Sequence, residues 1–235
     1  MLQSVHARKI RESGLYDREL HMYKVCEDLS SVDPEAGRAL AFTPGWLENE
    51  SVSLHMEYKY LLELLKSGLY DQFSEAFHAA AVPFLDPEQY GRSPLEDVSF
   101  LASSANPDPS SWGRGHGVRL SGSAAEFLQI WHRMFFGPAP FRLEDGELHL
   151  TFDPFIPEYL MPEDGVIEAT FLGNIKVTYN APGLSALVPG KTVPVLWELT
   201  GPNGEEAVIE GPCLPDMESF GVRSGQVVGI RVTMK

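Results

Sequence analysis

The residue types best suited to chemistry sit in the first 136 positions. In Leu120-Ser121-Gly122-Ser123-Ala124-Ala125-Glu126, a hydroxyl residue precedes a glutamate by three positions, the pattern of a capping box, so Ser123 is expected to open a helix that runs to Phe136. The free N–H groups of a helix start carry about half a positive charge, and Gly122 lets a ligand approach the backbone, which suits a phosphate. The same pattern also opens ordinary well-capped helices. His55 lies near the start of another expected helix, in an acidic setting of Glu48, Glu50 and Glu57, where it could donate to an anion or simply pack against a neighbour. His116, within Trp112-Gly113-Arg114-Gly115-His116-Gly117, falls in an expected flexible loop able to cover a ligand. That loop lacks the G-x-x-x-x-G-K-[ST] phosphate cradle and no strand leads into it, so nucleotide binding is not expected.

Carboxylates are plentiful: Glu48, Glu50, Glu57, Glu96, Asp97, Asp108 and Glu126 could supply an acid–base pair, although most are expected to be solvated or capping. An inverting hydrolase needs two carboxyls roughly 6.5–9.5 Å apart, which spacing along a chain does not give. His6, His21, His78, His132 and His149 show no i, i+4 pairing and read as surface residues. Cys26 and Cys213, one in each half, form neither a metal motif nor a disulfide framework. No metal and no cofactor are expected. Trp46, Tyr90, Phe100 and Trp112 lie in the long loops, where a sugar platform would need them.

Leu54, Tyr58, Leu61, Leu62 and Leu65 form one apolar stripe of a helix over 51–66, stopped by Gly68; a second helix over 70–81 carries Phe73 and Phe77 on one face. Two shorter helical pieces are expected within 4–24. Segments 33–48 and 83–120, rich in Pro, Gly, Ser and Asp, are long enough to be functional loops. After Gly137-Pro138-Ala139-Pro140 the helical period gives way to β-branched runs at 147–152, 166–171, 174–179, 192–199, 206–210 and 226–234, with Asp145-Gly146 and Asn203-Gly204 as hairpin turns. The expectation is an α+β chain with helical hairpins over 1–140 and an antiparallel β-sandwich over 141–235.

The balance of 18 Lys+Arg against 33 Asp+Glu gives a net charge of −15, which argues against nucleic acid as a partner. No stretch is long and apolar enough for a membrane span and the polar N-terminus lacks a secretion signal, so a cytoplasmic location is expected, with no membrane partner.

Gly45-Trp46-Leu47-Glu48-Asn49-Glu50-Ser51, Leu54-His55-Met56-Glu57-Tyr58-Lys59-Tyr60, Tyr90-Gly91-Arg92-Ser93-Pro94-Leu95-Glu96, Ser103-Ser104-Ala105-Asn106-Pro107-Asp108 and Leu120-Ser121-Gly122-Ser123, in this order, resemble one family. It is the inverting glycoside phosphorylases related to cellobiose phosphorylase (glycoside hydrolase family 94), most nearly the 1,2-β-oligoglucan phosphorylases. The resemblance implies that this chain is the C-terminal part of a longer enzyme, with the last helices of an (α/α)6 barrel and the β-domain that follows it. It implies inorganic phosphate held by His55, Ser121, Gly122 and Ser123, a β-gluco-oligosaccharide near Trp46, Glu48, Asn49 and Ser104, and a full-length parent able to form a homodimer. The family's general acid falls upstream of Met1, so this chain alone is expected to be inactive. A second reading makes 141–235 a non-catalytic carbohydrate-binding or structural β-sandwich with a helical adaptor, and a third, a complete small hydrolase, needs a carboxylate pair within the chain.

Overall fold

The computed structural model describes residues 2–117 and 121–235. It is a mixed α+β chain in which the described residues form six α-helices and several sheets. In order these are α1 (Leu2–Glu12), β1 (Tyr16–Asp17), β2 (Met22–Tyr23), β3 (Val52–Ser53), α2 (Leu54–Lys66), α3 (Tyr70–Ala80), α4 (Pro87–Tyr90), β4 (Phe100–Leu101), β5 (Gly115–His116) and α5 (Ser121–Phe136). There follow β6 (Phe141–Glu144), β7 (Glu147–Leu150), β8 (Val166–Phe171), β9 (Ile175–Asn180), β10 (Pro194–Thr200), β11 (Glu206–Glu210), α6 (Asp216–Arg223) and β12 (Gly229–Met234). Contacts divide the chain into two compact units, Met1–Ile130 and Trp131–Lys235.

In the first unit, α2 and α3 form a hairpin whose turn follows from sequence. Gly68 takes a left-handed φ of +70°, and its N–H and that of Leu69 donate to the Leu65 and Leu64 carbonyls, closing α2 with a Schellman motif. The predicted stripe is the buried one: Leu54, Tyr58, Leu61, Leu62 and Leu65 are all in the core. Phe73 and Phe77 of α3 stack at 5.2 Å, and Phe127 of α5 reaches both Tyr58 and Phe77. Two expectations fail here. Residues 16–23 form the two-residue strands β1 and β2 rather than a second short helix, because His21 turns the chain back with a left-handed φ of 57°. His116 belongs to a strand, not a free loop: β3, β4 and β5 make a small sheet with Ser53 opposite Phe100 and Phe100 opposite His116.

In the second unit, five strands lie in the order β11-β10-β12-β9-β8. The sheet is mixed, since β12 runs parallel to β9 while the other pairs are antiparallel, which corrects the wholly antiparallel expectation. A parallel neighbour needs a crossover, and α6 lies in the segment that supplies it. Cross-strand rows show the period of two. Ile167, Tyr179, Val232 and Trp197 face inward, while Glu168, Thr178, Arg231 and Glu198 form the adjoining outward row. The inner face closes over an aromatic cluster in which Phe152 lies 5.2 Å from Phe171 and 5.3 Å from Trp197.

Tyr179 is fully buried and its hydroxyl donates to the Phe135 carbonyl in the last turn of α5 at 2.5 Å. Helix ends leave such carbonyls without an intrahelical donor. Tyr179→Phe is therefore expected to cost about 1–3 kcal/mol in urea denaturation, the range for a buried polar group left unsatisfied. A loss of less than ~0.5 kcal/mol would mean that Phe135 finds another donor.

Candidate functional site

The helix start and the histidine singled out above come together. α5 begins at Ser121, two residues earlier than expected, so Ser123 is inside the first turn and is not the cap, and Leu120 lies outside the described residues. Glu126 does not close a capping box either. Its carboxylate faces the His55 imidazole, Oε1 to Nε2 at 3.7 Å, and accepts from the Gln129 amide. His55 is the second residue of α2, placed there because β3 ends at Ser53 and the Leu54 N–H is tied to the Ser99 carbonyl at 3.0 Å.

The imidazole packs on the first turn of α5 at Gly122. A Cβ added to Gly122 would stand 2.7 Å from His55 Nδ1 and 2.9 Å from Cε1 and Cγ, distances that real side chains do not tolerate. Gly122 is thus required by its neighbour, not by its own backbone angle. Beside it, Ser123 is fully buried, and among the described residues its hydroxyl has no partner that meets hydrogen-bond geometry. The Asp97 carboxyl interacts with it: burial pushes that carboxyl above the usual carboxylate range and the Ser123 hydroxyl pulls it part of the way back. The site therefore offers helix-start amides, an imidazole whose outer edge is held by a carboxylate, and a buried hydroxyl with spare capacity. Such a set can bind an oxyanion.

The other expected site residues are differently employed. Trp46, 36% exposed, stacks face to face on His116 at 3.8 Å and 5° between planes. Burial pushes the His116 imidazole below its ordinary value, and its Nε2 has no partner among the described residues. Asn49 is buried and turned into its own loop, donating to the Phe42 carbonyl at 2.7 Å, and Glu48 pairs with Arg38. Ser104 is held through its backbone N–H, which donates to the buried Asp17 carboxylate at 2.7 Å. Of the other loop aromatics, Tyr90 is buried with its hydroxyl on the Glu96 carbonyl, and the Trp112 indole donates to the Asn106 carbonyl.

The expectation that the carboxylates are mostly solvated or capping holds for Asp108, which caps the turn at 109–111, but not for Glu50 and Glu57. Glu50 forms a buried ion pair with Lys24 at 2.6 Å. Glu57 is 1% exposed, and burial pushes its carboxyl up to about 8. Neither burial was signalled by residue type. The position of Glu57, three residues beyond Leu54 and one before Tyr58, is the only hint that it borders the apolar stripe.

Among the described residues no group of three His, Cys, Asp or Glu side chains is placed to hold a metal ion, and no helix is long and apolar enough to cross a membrane. No protein-family model matches the chain, and no curated protein matches it.

Proposed function

We propose that this chain is the C-terminal part of an inverting glycoside phosphorylase of the cellobiose phosphorylase type, acting in the cytoplasm on a β-linked gluco-oligosaccharide, with the first turn of α5 and His55 supplying half of its inorganic-phosphate site. The observation that carries this reading is the packing of His55 on Gly122 beside the buried hydroxyl of Ser123. Phosphate carries more than one negative charge near neutral pH. A helix start alone is a weak clamp for it, and an imidazole N–H from a second helix adds a directed donor. Glu126 stands at the other edge of the ring, its Oε1 3.7 Å from His55 Nε2, and fixes the ring's orientation. In this reading the α2–α3 hairpin belongs to the closing part of an (α/α)6 barrel, and the five-stranded unit belongs to a trailing β-sandwich.

The chemistry asked of the site is positional. Phosphate attacks the anomeric carbon on the side opposite the breaking bond, the configuration inverts, and one carboxylic acid protonates the leaving oxygen. His55 and the amides at 122 and 123 would hold the nucleophile in line; the acid, and an arginine sharing the phosphate, belong to a preceding part of the enzyme. Glu126 and Asp97 make this half-site acidic, so its own affinity for phosphate is expected to be weak, with the missing arginine restoring the balance.

The test is a titration of the purified chain with inorganic phosphate followed by amide chemical shifts. The Gly122 and Ser123 amides are expected to move saturably, and His55→Ala to weaken the effect about tenfold or more, as loss of one charge-assisted hydrogen bond implies. Gly122→Ala is expected to displace the imidazole and do the same without a loss of helix. Shifts confined to other residues, or unchanged in His55→Ala, would remove the phosphate from this site.

A further inference from the structure

A cavity of about 380 Å³ opens in the first unit between α1, the β1–β2 ribbon, α2 and α3, lined by residues that no motif singled out. Its volume is in the range of small-ligand sites, roughly 300–1,000 Å³. We propose that this cavity binds a neutral hexose, free or as one unit of a saccharide.

Tyr16, Tyr23 and Tyr60 form a continuous aromatic wall: the Tyr16 and Tyr23 ring centroids are 5.1 Å apart, and Tyr60 meets Tyr23 edge-on at 4.5 Å. Rings of this kind shed water and present an apolar surface with a polar tip, which suits the C–H face of a pyranose. Burial raises all three phenols above their ordinary value, so their O–H groups stay intact as donors. Opposite chemistry stands at the rim. Glu75 takes two guanidinium contacts from Arg11, one of them 2.7 Å, while the guanidinium lies over the Tyr16 ring at 5.4 Å. The pair is thereby fixed in orientation, and three of the five Arg11 N–H groups are not used by Glu75. The Tyr16 hydroxyl is in turn hydrogen-bonded to His21 Nδ1 at 3.0 Å.

Charge decides the class of ligand. Arg11 is neutralised by Glu75, and Arg8, the other arginine of the lining, has Glu12 at 3.8 Å. With both arginines of the lining paired, the cavity does not favour an anion. A ligand with adjacent hydroxyls, each both donor and acceptor, would instead match a fixed row of donors and acceptors beside an aromatic wall. Neither His55 nor Gly122 lines this cavity, so the proposal is independent of the phosphate reading.

The experiment is a titration of the full chain with glucose, galactose, mannose and N-acetylglucosamine, read by saturation-transfer NMR and by amide shifts at residues 16–23 and 72–76. At least one sugar is expected to bind with Kd of about 1 mM or tighter, and both Arg11→Ala and Glu75→Gln to weaken it about tenfold. These two side chains are about half exposed, at 43% and 55%, so their replacement is expected to leave the fold intact, which circular dichroism will verify. Absence of saturable binding by all four sugars overturns the proposal. So does binding that is equal in Arg11→Ala, or that inorganic phosphate displaces.

Discussion

Lys24→Met is expected to cost about 3–5 kcal/mol of stability, the range for removing one partner of a buried ion pair. Lys24 Nζ sits 2.6 Å from Glu50 Oε1, with the two side chains only 12% and 8% exposed. Glu50 cannot relax toward water once its cation is gone. Its backbone is in the left-handed region at φ 55°, its N–H donates to the Cys26 sulfur at 3.3 Å, and its carbonyl accepts the Ser103 hydroxyl at 2.5 Å. The carboxylate would be left buried and unpaired. The double replacement Lys24→Met with Glu50→Leu removes both charges and is expected to recover most of the loss, because desolvating two ions roughly offsets what their attraction returns. Guanidinium denaturation of the two single variants and the double variant measures this. A single variant within about 1 kcal/mol of the parent would show that water reaches Glu50.

The pair also bears on the candidate site. Glu50 follows Trp46, Glu48 and Asn49 in the loop that leads into β3 and α2, so the clamp at Lys24 helps to set where His55 begins its helix.

That clamp illustrates which parts of the molecule could be read in the sequence. α2, α3 and α5 are legible because their apolar residues recur at helical spacing, and each starts or ends within about three residues of expectation. The 166–171 and 206–210 strands match because alternation and turn residues bound them locally. α6 escapes notice for a physical reason: it spans only eight residues, buries Ser219, Gly221 and Val222 and leaves Met217 and Phe220 exposed, so residue type does not mark its buried face. β4 and β5 are two-residue strands held by partners distant in sequence, and β1 and β2 are two-residue strands joined by a turn at His21, a residue type that does not announce a left-handed backbone. The parallel pairing of β12 with β9 is likewise a tertiary choice. At the site, His55 and the 122–123 turn are legible as candidates from the S-x-x-E spacing and the place of His55 near a helix start. That Gly122 serves the imidazole, and that Glu126 faces His55 instead of capping, depends on a packing of α2 against α5 that spacing cannot supply. The tyrosine cavity was invisible because its wall draws one ring each from β1, β2 and α2.

The other large effect is a pH dependence of stability centred on Glu57. Its carboxyl lies in the core with Oε2 accepting the Tyr23 N–H at 3.0 Å and Oε1 without a partner among the described residues. Burial pushes the group up to about 8 from its ordinary value of 4.5, and the Tyr23 N–H pulls it only partly back. The groups facing it are the phenols of Tyr23, Tyr58 and Tyr60, which supply no positive charge. The native state therefore keeps the proton to higher pH than the unfolded chain. Where the unfolded chain binds fewer protons, stability falls as pH rises. The stability associated with the neutral acid is complete below about pH 4.5, declines between there and about pH 8, and is lost above it. Over that window the loss amounts to something on the order of 5 kcal/mol. Glu57→Gln keeps an acceptor for the Tyr23 N–H and cannot ionise, so it is expected to flatten the profile and to be more stable than the parent at pH 8, with little difference near pH 5. Denaturation midpoints from pH 4 to pH 9 for the two proteins decide the matter, and parallel profiles would show that Glu57 titrates as an ordinary carboxylate. Because the same Tyr23 lines the cavity assigned to a hexose, ionising Glu57 should also loosen that wall, and sugar affinity should fall with stability above pH 8 in the parent but not in Glu57→Gln.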